Sequence, residues 1–421
     1  MKVSVVIPTS NGARFLAPCL EALERTRLPA GAEIEPIVVD NGSTDGTAEL
    51  LAGRSEVKAL YFPKPLGFAG ANNAARAVAT GDVVCFLNND TQVDPGWIER
   101  PLEIFARDPT VAGVGSKLLF MHRFVPVRFS LDHGAKVRVG PTLFDGPLDD
   151  KVRWSSDVRD RWVQDGSAVY VPMPVPRIDA PLRAPPVLRL YEGEISGLKV
   201  RVGDRPAHAI ARLPAIVPVE DGAATLRLIQ NAGNFLTERC EGGDVGTGEE
   251  DVPGRYDREE AVPAICGAAL FARRDALDAV GWFPDYYTVY YEDVDLCLRL
   301  RSRGGTLVFC PSSIVNHYHT GTNREHSSRF IENVARSSLL FVSRYGAPGV
   351  IARALRDRIR YSRDELVHGG GWRHAAGMRG FLSAVPALRR TLASRIGDRL
   401  RGRPGPAELV GTRRVPYQPS R

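Results

Sequence analysis

Over the first ninety residues, short apolar runs alternate with longer stretches whose apolar residues recur at helical spacing. Val3–Ile7, Ile37–Asp40, Ala59–Phe62 and Val83–Leu87 predict strands, while Ala13–Arg25, Gly46–Gly53 and Gly70–Ala79 predict helices. Strands alternating with helices imply βαβ units and a parallel sheet covered on both faces. Right-handed crossovers then bring the carboxyl ends of the strands, and any ligand, to one edge. A Rossmann-like nucleotide-binding half is the expectation. The apolar run after Met1 is too short for a signal peptide or a spanning helix and is expected to be the opening strand.

The pattern changes after Leu118. Between about Gly146 and Leu228, prolines separate short alternating runs, Ala168–Val171, Val187–Tyr191, Leu198–Val202 and Ala207–Leu213. These predict a small inserted β-rich module, with Pro172–Pro186 as a stiff connector. Mixed signals resume at Pro263–Ala279 and run to about His319. From Ile331 the chain becomes basic, with a net charge of about +12 against +6 for the whole, so the remainder is net acidic. In this tail Leu339, Leu340, Val342, Val350, Ile351, Leu355 and Ile359 recur at near-helical spacing among arginines. Two readings stay open: a basic amphipathic surface lying on an anionic membrane, or a helical cap with a solvated basic face.

Composition narrows the class. A chain of 421 residues exceeds one compact core, so a large domain with additions is expected. With 25% charged and 43% hydrophobic residues it is neither fibrous nor disordered, and its 41 glycines and 31 prolines imply many turns. The basic excess is confined to the tail without interleaved aromatics, which disfavours nucleic acid as a partner. No stretch offers the ~20 apolar residues that cross a bilayer. Six scattered cysteines without a C-x-x-C pair suggest reduced thiols, hence a cytoplasmic protein.

Candidate chemistry lies at strand ends. Pro8-Thr9-Ser10-Asn11-Gly12 follows the first strand, and Asp40-Asn41-Gly42-Ser43-Thr44-Asp45 ends the second. Both can meet a nucleotide, although turns and caps favour the same residues. No G-x-G-x-x-G follows the first strand, which disfavours an NAD-type fold. Asn88-Asn89-Asp90 ends the fourth strand, where a carboxylate can hold a hard cation beside a diphosphate. Glu292, Asp293 and Asp295 open a helix behind Tyr290 and Tyr291, whose rings would desolvate a carboxylate and make it a better base; the plainer alternative is a dipole complement. Asp295 is expected to pair with Arg299 at i+4. His317 and His319 are expected on one face of a late strand.

Taken in order, these segments resemble the family 2 glycosyltransferases of the GT-A fold, in particular their bacterial rhamnosyltransferase-like branch. The resemblance rests on Ser4–Thr9 with Asn11, Val39–Thr47, Leu66–Asn73, Leu87–Thr91 with Pro95-Gly96-Trp97, then Gly267–Arg274, Val280–Phe283, Glu292–Cys297, Pro311 and His317. It covers about 1–145 and 229–345. It implies an α/β GT-A fold, that is, a Rossmann-like nucleotide-diphospho-sugar transferase fold with an inserted β-rich module and a helical C-terminal tail. Its domains would be 1–145 plus 229–330 for the transferase, 146–228 for the insertion and 331–421 for the tail.

By position, the resemblance implies that Pro8, Thr9, Asn11, Asp40 and Asn89 line the nucleotide pocket, closed by Gly67 and Asn72. Asp90 takes the last place of the family's D-x-D metal motif, whose first acid is here Asn88, and His317 matches a further metal ligand. Asp293 falls where inverting members keep their general base. Pro65 departs from the family's Asn two residues before Gly67. The expected function is an inverting transferase dependent on a divalent metal (Mg or Mn). It would move a sugar, dTDP-rhamnose or a UDP-sugar favoured, from a nucleotide-sugar donor to a hydroxyl of a cell-surface glycan or lipid-linked acceptor. Peripheral contact with the inner face of the cell membrane would run through the basic tail. The alternatives are an inactive sugar-nucleotide or glycan-binding protein, or a nucleotidyltransferase.

Overall fold

The computed structural model describes residues 1–140, 161–179, 187–219, 222–319, 327–367, 371–403 and 415–416, which form two compact units. The first unit contains Met1–Leu118, Gln230–Thr247 and Gly254–Arg421; the second contains Leu119–Ile229 and Gly248–Pro253.

The first unit opens with β1 (Lys2–Thr9), α1 (Ala13–Glu24), β2 (Glu33–Asn41), α2 (Thr47–Ala52), β3 (Lys58–Phe62), α3 (Gly67–Ala74) and β4 (Val83–Leu87). Strands β3-β2-β1-β4 lie side by side and parallel, with Thr9 opposite Asp40. Every residue of β4 is buried, as are Val3, Val5, Val6 and Ile7 of β1, because helices cover both faces of a parallel sheet. Ser4 is the polar exception inside β1. Its hydroxyl donates to Glu35 at 2.6 Å and accepts the Gly81 amide at 2.9 Å, so the buried group keeps both partners.

Helix α3 starts three residues earlier than the apolar spacing predicts. The Asn41 side chain accepts the Leu66 amide at 2.6 Å, and Phe68 N–H donates to the Thr288 carbonyl at 2.7 Å. Gly67 at this start has φ +75°, and a Cβ there would stand 2.7 Å from the Thr288 carbonyl oxygen, so only glycine fits.

The chain continues through β5 (Thr91–Val93), α4 (Glu99–Arg107) and β6 (Val111–Phe120). The second unit then holds β7 (Phe124–Ser130), β8 (Val137–Val139), β9 (Arg161–Val163), β10 (Ala168–Pro172), β11 (Val187–Gly193), β12 (Lys199–Val202), β13 (His208–Ala209) and β14 (Ala215–Pro218). Two four-stranded sheets, β10-β7-β12-β13 and β14-β11-β8-β9, share one core that includes Val127, Phe129, Val137, Leu190 and Val200. This compact unit is wider than the expected insertion at 146–228, of which 146–160 lie outside the described residues, as do 180–186 of the expected Pro-rich connector. The run expected as a strand over Ala207–Leu213 pairs only at His208–Ala209, confined between Pro206 and Pro214.

After β15 (Ile229–Asn231), the hairpin of β16 (Asn234–Leu236) and β17 (Gly242–Asp244) precedes β18 (Glu260–Ala261), β19 (Ala269–Arg273), α5 (Arg274–Val280), α6 (Glu292–Arg301) and β20 (Thr306–His317). Strand β19 runs antiparallel between β4 and β6. The parallel nucleotide-type half thus passes directly into an antiparallel half, the mixed α/β arrangement of the GT-A fold. All six cysteines are free thiols, as their spacing predicts.

The tail forms α7 (Ser328–Tyr345), α8 (Pro348–Val367) and α9 (Gly371–Leu400), followed by β21 (Val415–Pro416). Here the helical-cap reading holds for the α7 part of the expected apolar set, while Leu355 is exposed and the Ile359 side chain lies outside the described residues. Leu339, Leu340 and Val342 are buried, and Phe341, Val342 and Tyr345 pack with Leu298 of α6 while Val350 and Ile351 lean on the same cluster. That apolar face of α7 belongs to the core of the first unit and has none left for lipid.

Candidate active site

The carboxyl ends of β1, β2 and β4 gather the expected polar residues. Pro8 lies opposite Val39 in the β1–β2 register. Thr9 is buried, and its hydroxyl accepts the Asn89 side-chain amide at 2.8 Å. Asn11, with φ +50°, donates its amide to Ser43 and accepts Thr44 N–H at 2.7 Å. Asp40 accepts the Ser43 amide at 3.0 Å. These bonds lock the loops after β1 and β2 to each other, which fixes the edge where a base and ribose would lie. Asn72 is fully buried; its amide donates to the Phe68 carbonyl, and its oxygen has no hydrogen-bond partner.

Asp90 and His317 meet at this edge. His317 Nε2 lies 3.1 Å from Asp90 Oδ1 and 3.4 Å from the Asn88 amide nitrogen, and Nδ1 lies 3.1 Å from Gln230 Oε1. With Nδ1–H donating to Gln230, Nε2 carries a lone pair facing a carboxylate oxygen, and two acceptors in that position need a proton or a metal ion between them. Asn88 Oδ1 is buried beside them without a hydrogen-bond partner. A carboxylate, an imidazole and a free amide oxygen suit a divalent cation that takes its remaining oxygens from a diphosphate. Among the described residues no three His, Cys, Asp or Glu side chains gather as a metal cluster.

One histidine expectation is corrected. Strand β20 ends at His317, and His319 follows with φ +56°, so the two rings are not successive outward residues of one strand face. Their planes stand perpendicular, with centroids 5.6 Å apart.

Asp293 opens α6. Its Oδ2 accepts the Gly267 amide and its Oδ1 the Val294 amide, each at 2.8 Å. Burial raises its proton affinity, the two amides oppose this, and the charge of Asp244 adds to the rise. The neighbouring Glu292 is pushed well up by burial and by the Asp293 charge, and its Oε2 has no hydrogen-bond partner. Asp295 turns elsewhere. It is fully buried and accepts Arg299 Nε at 2.7 Å, the expected i+4 pair, together with Arg344 Nη1 of α7 at 3.0 and 3.1 Å. Two guanidinium groups therefore neutralise Asp295 inside the core, which suits a structural anchor.

Asp244 was not foreseen. It sits on β17, where Oδ1 accepts the side-chain amides of Asn231 at 2.7 Å and Asn234 at 2.8 Å. Burial raises its carboxyl, while the amides and the nearby His319 and His317 draw it down. Its charge in turn adds to the rise of Asp293. The Asn-rich turn Asn231-Ala232-Gly233-Asn234 was the available signal, but its side chains point to a residue 13 and 10 positions on.

The chain is similar in part to known proteins. Residues 4–125 match the family described as Glycosyl transferase family 2. An uncharacterized glycosyltransferase of Nostoc, alr2836, is 34% identical over 116 residues, 26% of this chain and 35% of that protein. The uncharacterized protein y4gI of Sinorhizobium fredii is 32% identical over 331 residues, 77% of this chain and 25% of that protein. The O-antigen biosynthesis protein RfbC of Myxococcus xanthus is 33% identical over 150 residues, 34% of this chain and 11% of that protein. The chain thus spans about a third or less of the length of these relatives. A crystal structure of GalNAc-T7 with UDP, GalNAc and Mn2+ superposes at a TM-score of 0.47 and 13% identity, covering 94% of this chain and 57% of that one. Residues 4–125, which hold β1 to β6 and the candidate-site residues at the ends of β1, β2 and β4, thus carry the pattern of Glycosyl transferase family 2.

Proposed function

We propose that the protein is an inverting, metal-dependent transferase. It moves a sugar from a nucleoside-diphosphate donor, dTDP-rhamnose or a UDP-sugar, to a hydroxyl of a cell-surface glycan or a lipid-linked precursor. The observation that carries this reading is that Asp90 meets His317 at 3.1 Å while the two residues before β19 link this edge to Asp293: the Asn88 backbone amide donates to the Ala268 carbonyl at 3.0 Å and the adjacent Gly267 amide donates to Asp293 at 2.8 Å. A candidate base and a candidate diphosphate-cation site are thus joined through two successive backbone positions, Gly267 and Ala268.

In this reading Thr9, Asn11, Asp40, Asn72 and Asn89 hold the nucleotide, with Pro8 beside them and Gly67 keeping the α3 loop against Thr288. A divalent cation held by Asp90 and His317, with the Asn88 oxygen beside them, would offset the charge that develops on the leaving diphosphate oxygen. Asp293, oriented by two backbone amides, takes the proton of the acceptor hydroxyl as that oxygen attacks the anomeric carbon. The new carbon–oxygen bond forms as the bond to the diphosphate breaks on the opposite face. The nucleoside diphosphate leaves with both electrons of that bond, and the anomeric centre inverts.

The test is calorimetric titration of the protein with nucleotide sugars with and without manganese, followed by a transfer assay with radiolabelled donor. Donor binding and turnover with Asp293→Asn inactive is the expected result. Binding without turnover on any glycan or lipid-linked hydroxyl would favour a sugar-nucleotide sensor. Release of pyrophosphate from a nucleoside triphosphate would favour a nucleotidyltransferase.

A further inference from the structure

Helix α9 has two opposed faces. On one, Ala376, Gly380, Ala384, Ala387 and Thr391 recur every three to four residues and are buried. These small residues admit a close helix crossing: a Cβ on Gly380 would stand 2.1 Å from the Glu332 carbonyl oxygen of α7. On the other face, Leu382, Val385, Leu392, Ile396 and Leu400 are between 46 and 83% exposed. At 3.6 residues per turn these five fall within roughly a quarter of the helix circumference, opposite the buried stripe.

A solvated helix face of this kind ordinarily carries polar residues. Arg389 lies within the apolar stripe, and Arg379, Arg390 and Arg399 are exposed on the same helix. Across its length α9 carries six arginines against one acid, Asp398. A second copy of the chain would bring this positive face against itself. An anionic lipid surface complements it in both respects, because phosphates meet the guanidinium groups while the aliphatic side chains enter the acyl boundary. Among the described residues no helix is long and apolar enough to cross a membrane, so the contact would lie in the plane of the surface.

We propose that α9 is an in-plane membrane helix, with Leu382, Val385, Leu392, Ile396 and Leu400 entering an anionic bilayer and Arg389 and Arg399 meeting lipid phosphates, while Arg379 and Arg390 pair with Glu332 and Asp285. This assigns lipid contact to a surface other than the apolar side of α7, and it stands whether or not the donor chemistry above is correct.

The test is co-sedimentation of the full chain with vesicles of phosphatidylglycerol and phosphatidylcholine, against vesicles of phosphatidylcholine alone. Binding to the anionic vesicles at least tenfold above the neutral ones, weakening as salt rises, is expected. The Leu392→Glu, Ile396→Glu pair should lower it tenfold or more, and the Arg389→Gln, Arg399→Gln pair several-fold, with circular dichroism unchanged. Should the glutamate pair unfold, Leu382→Ser with Leu400→Ser reads the same face. Equal sedimentation with and without vesicles overturns the proposal, as does vesicle binding indifferent to the apolar substitutions. A dimer in light scattering that those substitutions dissociate would make a second copy the occupant and equally overturn it.

Discussion

His317 Nδ1 stands 3.1 Å from Gln230 Oε1 while Nε2 of the same ring stands 3.1 Å from Asp90 Oδ1. Gln230 thereby selects which nitrogen faces the carboxylate. Gln230→Leu removes that acceptor and leaves the ring free to turn. The manganese concentration that half-saturates donor binding is expected to rise about 10–100-fold, read by calorimetric titration of manganese at fixed donor. Unchanged manganese dependence would remove Gln230 from this role.

Asp293→Asn keeps the shape of the side chain and abolishes its basicity. Turnover is expected to fall about 10²–10⁴-fold while the donor Kd changes little, measured by initial rates and calorimetry. The pH dependence follows from the direction of the shift. Asp293 is raised by burial, so it becomes protonated, and loses its capacity to accept the acceptor proton, at a pH above that of an ordinary aspartate. The acid limb of the kcat profile should accordingly lie above the usual aspartate range, and a limb within that range would exclude Asp293 as the titrating base.

Arg344→Met takes one of two guanidinium partners from Asp295 and one of two from Asp398 on α9, which keeps Arg403. Removing a partner from a buried ion pair costs about 3–5 kcal/mol, and the lower end applies because Arg299 remains. Urea unfolding would record the loss, and a change below about 1 kcal/mol would show that the network relaxes around the gap.

Glu35 offers a control far from the chemistry. Burial alone would raise its carboxyl, but Lys58, Ser4 and the Thr80 amide and hydroxyl hold it well below the ordinary glutamate range. A depressed carboxyl stabilises the fold above its unfolded pKa, and the contribution disappears as pH falls toward the folded one. Glu35→Gln should therefore cost about 1.5–3 kcal/mol near neutral pH and progressively less in acid, followed by denaturation at several pH values. A cost that grows on acidification would contradict the depressed carboxyl.

The strands of the nucleotide-type half were legible because each signal is local. Val3–Ile7, Ile37–Asp40 and Val83–Leu87 are runs whose burial on both faces leaves no polar alternation to blur them, while Ala59–Phe62, on β3 at the end of the sheet, is only partly buried. The start of α3 was not legible, since the side chain that fixes it, Asn41, lies 25 residues upstream. Asp244 escaped for a similar reason: its amide partners come from β15 and from the facing strand of its hairpin, and the carboxylate it acts on opens α6, 49 residues on. The tail was readable as helices, but the periodicity of Leu339, Leu340 and Val342 does not say whether protein or lipid takes the apolar side. Leu298 of α6 decides it.

The ion network around Asp295 ties α6 to α7 through Arg344, and α7 to α9 through Asp398 and through the Arg395 bonds to the Ser343 and Gly346 carbonyls. The helix that begins with the candidate base and the helix with the exposed leucines consequently belong to one rigid frame. A tether of that stiffness acts as a ruler. If α9 rests on a membrane as proposed, this chain of contacts would hold Asp293 at a set offset from the surface.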